Sequence, residues 1–500
     1  MTKTEIEKER HQLTEDVLGF IEAGVDAEIP DFNGYCMRMF ALHYESNKIF
    51  REFCEAKKVK PGDMDRWEDV PMVYNDMFKT HLVASFPLEQ SVMSCLTGGT
   101  TSLTQRGRIF RDKDGQRLVF TANRTMTGSY LFPDFKEGRR CRILILAPSP
   151  KLAPSMGMAI GMEQTRRHFG TDDSAFLLGK SGIHISALLK ALRESESSGV
   201  PVAIIGATSA YVYFFQACRR RKMKFCLPPG SRICDGGGYR GRFGPVSRED
   251  YYGMVQEILG IPDSHCVNVL GEAETATNLF DDSLRRRVRG LPERERTRPV
   301  PPWSRVRAMS IDDLRPLPDG EVGLLAHWDL ANVPTVLAVI TDNLGYTTDN
   351  GRGCEMVGRA KIEGGKVSPL PDEEPASPMG DSAIFRMLEK YVHFSIDLKM
   401  QMAKDPKAAP SVREEIEARP GSVASCPQVV DEILVAQQDA EASGLRDDSL
   451  NAFKDQTERP LDWYRKEADK QRLADHPAGL KSEEQAKRKK KGVIKKKVGK

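Results

Sequence analysis

The sequence predicts an α/β protein, because short apolar runs typical of buried strands alternate with helical stretches from about residue 141 onward. Strands are predicted at residues 142–147, 202–206, 224–227 and 266–270. Helices are predicted between them, at residues 183–193 and 210–221. A section richer in strands follows, with apolar runs at residues 322–327 and 335–340.

The chain on either side of this region is predicted to be mainly helical. Apolar residues recur at helical spacing over residues 4–24 and 35–57. Residues 368–379 are rich in Pro, Ser and acidic residues and read as a linker, after which helices are predicted at 380–404 and 427–442. We expect a large N-terminal domain over residues 1–345 and a hinge with the start of a small C-terminal part over 346–370. A helical extension over 371–460 and a charged, disordered tail over 461–500 are expected to follow.

Composition is that of a water-soluble globular protein, with 40 % hydrophobic and 29 % charged residues in a chain of 500. No apolar run approaches the roughly 20 residues of a membrane span, and the charged N-terminus lacks the apolar core of a signal peptide. The ten cysteines form no CxxC pair, so neither a zinc site nor a disulfide framework is indicated. Reduced thiols in the cytoplasm are therefore expected.

The net charge of +3 conceals a basic tail. Residues 481–500 contain nine Lys, one Arg and two Glu, which gives +8 and leaves −5 for the rest of the chain. Such a tail is predicted to bind anionic lipid or nucleic acid, or to act only as a disordered solubilising segment.

One Thr/Gly-rich stretch has the composition of a phosphate-binding loop. Adjacent glycines let backbone amides approach an anion, and hydroxyls donate to phosphate oxygens. An ordinary Thr/Gly turn is the alternative, and no Gly-Lys-Ser/Thr follows, so this is not a Walker A loop. The residues concerned are Thr97, Gly98, Gly99, Thr100, Thr101 and Ser102.

Two further stretches follow predicted strands. The triple glycine of Gly236, Gly237 and Gly238, followed by Tyr239, suits a flat base lying close to the backbone, although it is also a plausible flexible turn. Glu274 follows the strand at 266–270, where a carboxylate can hold Mg²⁺ against phosphate oxygens; the alternative is an acidic helix start.

Two candidates lie further along the chain. Asp342 follows the apolar run at 335–340, where its carboxylate can accept both ribose hydroxyls or simply stabilise a turn. Arg359 follows 17 residues later and offers a guanidinium to phosphate or ribose.

Taken in order, these stretches resemble the adenylate-forming superfamily of acyl- and aryl-CoA ligases. Within it the chain is most similar to the acyl-protein synthetases of LuxE type over about residues 35–362. The motifs that carry this resemblance are His43-Tyr-Glu-Ser-Asn47, Trp67, Pro71, Phe78-Lys79, Pro301-Pro-Trp303-Ser-Arg305 and Pro318-Asp-Gly320-Glu321-Val-Gly323-Leu-Leu325.

The resemblance implies a large adenylate-forming N-terminal domain that uses ATP and Mg²⁺. A carboxylic acid, expected to be a fatty acid, would become an acyl-adenylate with release of pyrophosphate, and the acyl group would then pass to a thiol. Thr97, Thr100 and Thr101 would hold phosphates, with Gly98 and Gly99, and Glu274 would hold the metal. Adenine would lie against Gly237, Gly238 and Tyr239, while Asp342 would bind ribose and Arg359 would close over the nucleotide. An acyl-reductase partner is also implied.

Several positions depart from the family pattern. Ser102 stands in place of the last glycine of the loop, and Leu270 in place of a tyrosine. The acyl-accepting cysteine that such proteins carry after the hinge arginine is not matched, since the next thiol after Arg359 is Cys426. A CoA ligase and a non-catalytic nucleotide-binding scaffold therefore stay open as alternatives. Lys361 and Lys366 are candidates for the C-terminal catalytic lysine.

Two apolar stretches are candidate walls for an acyl pocket, and each is equally compatible with plain core packing. They are the methionine-rich residues 156–162 and the aromatic residues 211–215.

Overall fold

The computed structural model describes residues 1–97, 107–179, 182–238, 240–241, 244–363, 366–369, 396–397 and 399–400. The helices are α1 (Lys3–Ala23), α2 (Phe32–Ser46), α3 (Lys48–Ala56), α4 (Met77–Thr80), α5 (Lys113–Tyr130), α6 (Gly157–Phe169), α7 (Ile185–Ser198), α8 (Thr208–Arg220), α9 (Arg248–Leu259) and α10 (Ser283–Val288).

The strands up to residue 280 are β1 (Val73–Tyr74), β2 (Met93–Leu96), β3 (Arg108–Arg111), β4 (Arg142–Pro148), β5 (Ala175–Gly179), β6 (Gly182–Ile183), β7 (Val202–Ala207), β8 (Arg232–Gly236), β9 (Arg240–Gly241), β10 (Gly244–Pro245), β11 (Cys266–Leu270) and β12 (Leu279–Phe280). The later strands are β13 (Arg298–Pro299), β14 (Ser304–Met309), β15 (Gly323–Asp329), β16 (Ala338–Thr348), β17 (Gly353–Glu363) and β18 (Lys366–Pro369).

The central sheet has the strand order β12-β11-β8-β7-β4-β5-β6. Its inner strands run parallel, and the two edge pairs are antiparallel. Parallel strands need crossover connections, which α6, α7, α8 and α9 supply. The carboxyl ends of β8, β7 and β11 therefore lie along one edge, where ligands of open α/β sheets collect.

A second sheet lies beside the first, with the order β13-β17-β16-β15-β14. Strands β14 to β17 form an antiparallel meander, and β1 adds in parallel to β16. This sheet matters for function because β16 and β17 place residues 342 and 359 on neighbouring strands.

The central sheet is buried on both faces. Alternate residues of β4 point to opposite faces of the sheet. Ile143 and Ile145 pack in the core that contains α5, while Leu144 and Leu146 pack with α7, α8 and α9. A strand covered on both faces reads as a continuous apolar run, which explains why β4 and β7 are recognisable in the sequence.

The predicted α/β class is confirmed, while individual elements differ. The helix predicted over residues 35–57 is two helices, because Asn47 leaves the helical conformation and its side chain caps α3 through the amide of Phe50 (3.1 Å). No strand forms at residues 224–227, where Phe225 and Leu227 instead donate backbone hydrogen bonds to the end of α9. Helices α5 and α6 were not predicted.

The predicted division into domains stays a prediction. Residues 342 and 359 share one sheet, because β16 and β17 pair from Asn343–Arg359 to Thr348–Gly353. Within the described part of the chain, no helix combines the length and apolar character needed to cross a membrane. The helices predicted at 427–442 and most of 380–404, and the basic tail, lie outside the described residues.

Candidate active site

A cavity of about 300 Å³ opens at the carboxyl edge of the central sheet. It extends between the sheet, α5 and α6, and its polar end lies against the loop that joins β11 to β12. Five residues predicted from the sequence line it together, namely Thr97, Gly237, Glu274, Asp342 and Arg359. Residues separated by up to 262 positions in the chain thus meet in one cavity.

Side chains from other parts of the fold hold the loop that carries Glu274, by donating hydrogen bonds to its backbone carbonyl oxygens. Arg111 Nη2 donates to the carbonyl oxygens of Ala273 (3.2 Å) and Thr275 (3.1 Å). The side-chain amide of Asn332 donates to the carbonyl oxygen of Glu274 at 3.0 Å. These donors satisfy carbonyl groups that would otherwise be buried without partners, and so they fix the loop conformation.

The buried carboxylate of Asp329 anchors the same loop from its other side. It accepts hydrogen bonds from the amides of Ala276 (3.0 Å) and Thr277 (2.9 Å) and from the Thr277 hydroxyl (3.1 Å). Trp303, from the Pro-Pro-Trp motif, donates its indole N–H to the same hydroxyl at 3.0 Å. The motif thus has a structural role here, because it completes the hydrogen bonding of the Glu274 loop.

Glu274 is buried beside other acidic groups. Burial, followed by the neighbouring carboxylate of Asp342, raises the pKa of Glu274 to about 7, against the lowering effect of its own backbone hydrogen bond and of Arg359 and Lys79. Such a carboxyl group disfavours its own negative charge until a cation compensates it.

Glu272, two residues earlier, is a second buried carboxyl group in the cavity wall. Burial raises its pKa to about 8, with further contributions from Glu274 and Asp342. Its Oε1 accepts a hydrogen bond from Asn343, while Oε2 lies 3.3 Å from His327 Nε2 without hydrogen-bond alignment. Because burial lowers the pKa of His327 to about 4, both groups are neutral at pH 7.

Asp342 and Arg359 face each other across neighbouring strands. Arg359 Nη1 lies 3.9 Å from Asp342 Oδ2, and the Asn75 side chain donates to Asp342 Oδ1 at 3.1 Å. About a third of the Arg359 side chain is exposed, so it lies at the cavity mouth rather than in its interior. One anionic and one cationic group are therefore available side by side for a polar ligand.

The remaining predicted residues are placed less completely. The Thr97 hydroxyl accepts a hydrogen bond from the amide of Gly107 (2.9 Å), and it donates to no group among the described residues. Gly237 and Gly238 both have left-handed φ angles, of 98° and 79°, but only Gly237 lines the cavity. Gly98, Gly99, Thr100, Thr101, Ser102, Tyr239 and the side chains of Lys361 and Lys366 lie outside the described residues.

The two stretches proposed as acyl-pocket walls differ in position. Met156, Met158 and Met162 line the cavity, so the methionine-rich stretch forms part of its wall. Residues 211–215 instead lie on α8 in the core on the opposite face of the sheet. Aromatic composition alone did not reveal which face of the sheet each helix covers.

Two cavity-lining thiols are poor nucleophiles. Cys95 and Cys234 both line the wall, and burial raises the pKa of each. Cys354, which precedes Arg359, is also buried, and burial raises its pKa to about 12. These thiols stay protonated at pH 7, in the form that does not attack.

Comparison with known sequences identifies the family. Residues 20–366 match the model of the family described as acyl-protein synthetase, LuxE. The chain belongs to the LuxE acyl-protein synthetase family. This LuxE-family protein is 24 % identical over 340 residues to the long-chain-fatty-acid–luciferin-component ligase of Vibrio harveyi. The alignment covers 65 % of this chain and 83 % of the relative.

Further similarities are more distant. The ligase of the same name from Aliivibrio fischeri is 22 % identical over 315 residues, covering 62 % of this chain and 77 % of the relative. A solved structure of 2-hydroxyisobutyryl-CoA ligase with 2-HIB-AMP matches with a TM-score of 0.49 and 14 % identity, over 68 % of this chain and 70 % of that one. ATP-bound MatB from Rhodopseudomonas palustris matches with a TM-score of 0.38 and 13 % identity, over 62 % and 53 % of the two chains.

The predicted family is thus confirmed, and with it the expectation of an ATP-dependent acid–thiol ligase. The roles assigned to individual residues stay predictions. Sequence reasoning missed Arg111, Glu272, Asp329 and Asn332. Glu272 carried a signal, because it lies within the Gly-Glu-Ala-Glu stretch, whereas the other three stand in no motif that was singled out.

Replacement of Asp329 by Asn is expected to destabilise this LuxE-family protein. The amide has one oxygen, so its NH2 group would face either the amides of Ala276 and Thr277 or the amide of Ala331, and leaving buried donors unsatisfied lowers the free energy of unfolding by roughly 1–3 kcal/mol. Urea denaturation measures the change. Asp172→Asn, at an exposed turn, is the matched control, and equal stability of the two variants would contradict an anchoring role.

Glu272→Gln is expected to change how stability depends on pH. The folded protein keeps the Glu272 proton up to about pH 8, whereas the unfolded carboxyl group loses it near 4.5. The folded state therefore binds more protons over this interval, so this group makes stability fall as pH rises through it. Glutamine removes the effect.

The measurement is the melting temperature of both proteins between about pH 5 and pH 8. The wild-type protein should lose stability relative to the variant as pH rises, and buried histidines cancel in the comparison. Glu7→Gln, at an exposed position of α1, is the control. A constant difference between wild type and Glu272→Gln at every pH would refute the raised pKa.

Proposed function

We propose that this protein activates an aliphatic carboxylic acid with ATP at the cavity beside Glu274 and passes the acyl group to a thiol. The observation that carries the proposal is that one cavity combines a group of charged residues with apolar walls. Glu274, Asp342 and Arg359 line one end, while Met156, Met158 and other apolar side chains line the wall beyond them. A nucleotide and an apolar acid would thus be brought together end to end.

The chemistry needs positioning more than acid–base catalysis. A carboxylate oxygen of the acid attacks the α-phosphorus of ATP, which forms the acyl-adenylate and breaks the bond to pyrophosphate. A thiolate then attacks the acyl carbon, the thioester forms, and AMP leaves. Holding the acid and ATP in the correct relative orientation accelerates the reaction, because binding offsets the translational and rotational entropy that the two reactants lose.

The polar end supplies groups suited to the nucleotide. We assign ribose to Asp342, which Asn75 holds in place, and the phosphates or ribose to Arg359. The hydroxyl of Thr97 is available to a phosphate oxygen, with Gly98, Gly99, Thr100 and Thr101 following it in the chain. Adenine is assigned to the turn at Gly237 and Gly238, with Tyr239.

Mg²⁺ fits Glu274 as part of this assignment. The pKa of about 7 shows that the buried site disfavours an uncompensated negative charge there, and a cation would relieve this. Among the described residues, no group of three or more His, Cys, Asp or Glu could hold a metal ion by itself. Glu274 is the residue that would hold the metal, and the metal would supply charge neutralisation at the phosphates.

The acceptor thiol is proposed to come from outside the cavity wall. Cys95 and Cys234 are held protonated by burial, and neither is suited to attack an acyl carbon. CoA, a cysteine of another protein and Cys426 of this chain are the chemical alternatives. The acyl-reductase partner and the contact of the basic tail with lipid or nucleic acid stay predictions.

Glu274→Gln is expected to lower pyrophosphate release by about 10²-fold or more, because it removes the carboxylate proposed to hold the cation that would neutralise charge at the reacting phosphate. Release from Mg-ATP is measured with a panel of aliphatic and aromatic acids. Glu28→Gln, at an exposed position, is the control. Acid-dependent release that persists undiminished in Glu274→Gln would rule out the assigned role, and no release with any acid would overturn the proposed function.

Cys95→Ser and Cys234→Ser are each expected to retain thioester formation, because neither buried thiol is the proposed acceptor. Transfer is followed from labelled acid with CoA present or absent, beside the Cys426→Ser variant. Label on the protein that requires Cys426 would indicate an acyl-protein synthetase, whereas product only with CoA would indicate a CoA ligase. Loss of transfer with intact pyrophosphate release in Cys95→Ser or Cys234→Ser would contradict the assignment.

A further inference from the structure

The end of the cavity remote from Glu274 is polar, although its middle is apolar. Four buried polar side chains from α5 and α6 line this end, namely Asn123, Thr127, Gln164 and Thr165. Apolar groups such as Met158, Met162 and Ile205 also line the cavity. A pocket shaped only for an alkyl chain has no use for polar groups at its far end.

The distance from the reacting end follows from the two helices. Met158, near the start of α6, lies close to Gly236 at the carboxyl edge of the sheet, and Thr165 follows seven residues later, about 10 Å along the helix axis. Helix α5 starts just after Arg111, which contacts the Glu274 loop, and Thr127 lies about 20 Å along it. The polar cluster is therefore well separated from the phosphate-side residues.

The hydrogen bonds within this cluster leave capacity unused. Asn123 Nδ2 donates to the carbonyl oxygen of Gly161 (3.2 Å) and approaches Thr165 Oγ1 (3.5 Å), and Thr165 Oγ1 donates to the same carbonyl at 3.1 Å. The Thr127 hydroxyl is 1 % exposed and has no hydrogen-bond partner among the described residues. Gln164 likewise makes no hydrogen bond to the described part of the chain.

A buried hydroxyl without a partner is unfavourable, so its presence in a cavity wall points to a partner that enters the cavity. The partner is uncharged, because the charged side chains that line the cavity in the described chain, Lys79, Arg111, Glu272, Glu274, Asp342 and Arg359, belong to its other end. A second carboxylate on the substrate would find no cationic side chain near Thr127 among the described residues that line the cavity.

Building on the proposed function, we infer that the acid substrate carries an uncharged hydrogen-bonding group, a hydroxyl or a keto oxygen, at the end of its chain remote from the carboxylate. Thr127 and Gln164 bind this group, and Asn123 is held in place by Gly161 to complete the polar pocket. The residues thereby select an oxygenated aliphatic acid over a plain alkyl acid of the same length.

The test measures kcat/KM for pyrophosphate release with ω-hydroxy acids and with unsubstituted acids matched in the number of heavy atoms. The full-length protein should prefer the hydroxy acid of the best length by at least about tenfold, because a site built to bind a hydroxyl rejects the analogue that lacks it. Thr127→Val, which keeps the side-chain shape, and Gln164→Leu should each bring this ratio towards one.

Thr125→Val, on the same helix but outside the cavity wall, is the control and should keep the wild-type ratio. The wild-type ratio is informative even if a variant does not fold. Equal or better use of the plain acid by the wild-type protein would overturn the inference and indicate that ordered water serves the polar end. Absence of release with every acid would overturn the proposed function itself, which distinguishes the two failures.

Discussion

The candidate site depends on the buried carboxylate of Asp329. This carboxylate accepts hydrogen bonds from the amides of Ala276 and Thr277 and from the hydroxyl of Thr277. It therefore holds the end of the loop that carries Glu274. Burial raises the pKa of Asp329, and the hydrogen bonds it accepts oppose that effect. These hydrogen bonds fix the backbone of the loop and thereby limit the positions that the Glu274 side chain can reach.

The supporting groups come from separate layers of the fold. Arg111 ends β3, Asp329 ends β15, and Asn332 follows shortly after β15, yet all three bind the loop between β11 and β12. The loop therefore lies between the central sheet and the second sheet. Any displacement between these sheets would move Glu274 relative to Asp342 and Arg359, and this couples the packing of the core to the geometry of the site.

Electrostatics and shape divide the cavity along its length. Burial, with a further contribution from neighbouring carboxylates, raises the pKa of Glu272 and of Glu274, so this end of the cavity favours cations and polar ligands. Methionines form much of the middle, and their flexible side chains fit chains of varied shape. The uncharged polar groups of α5 and α6 close the far end, which gives the cavity three chemical zones.

The sequence by itself determined the α/β class, the strands β4, β7 and β11, and the family, because these depend on local apolar runs and on short motifs at strand ends. It did not determine the break at Asn47 or the existence of α5 and α6. Only the tertiary structure brought Glu272 to His327, Asp329 to the Glu274 loop, and Thr127 to the cavity wall. These contacts join residues far apart in the chain, and their chemistry arises from burial, which no local pattern of residues encodes.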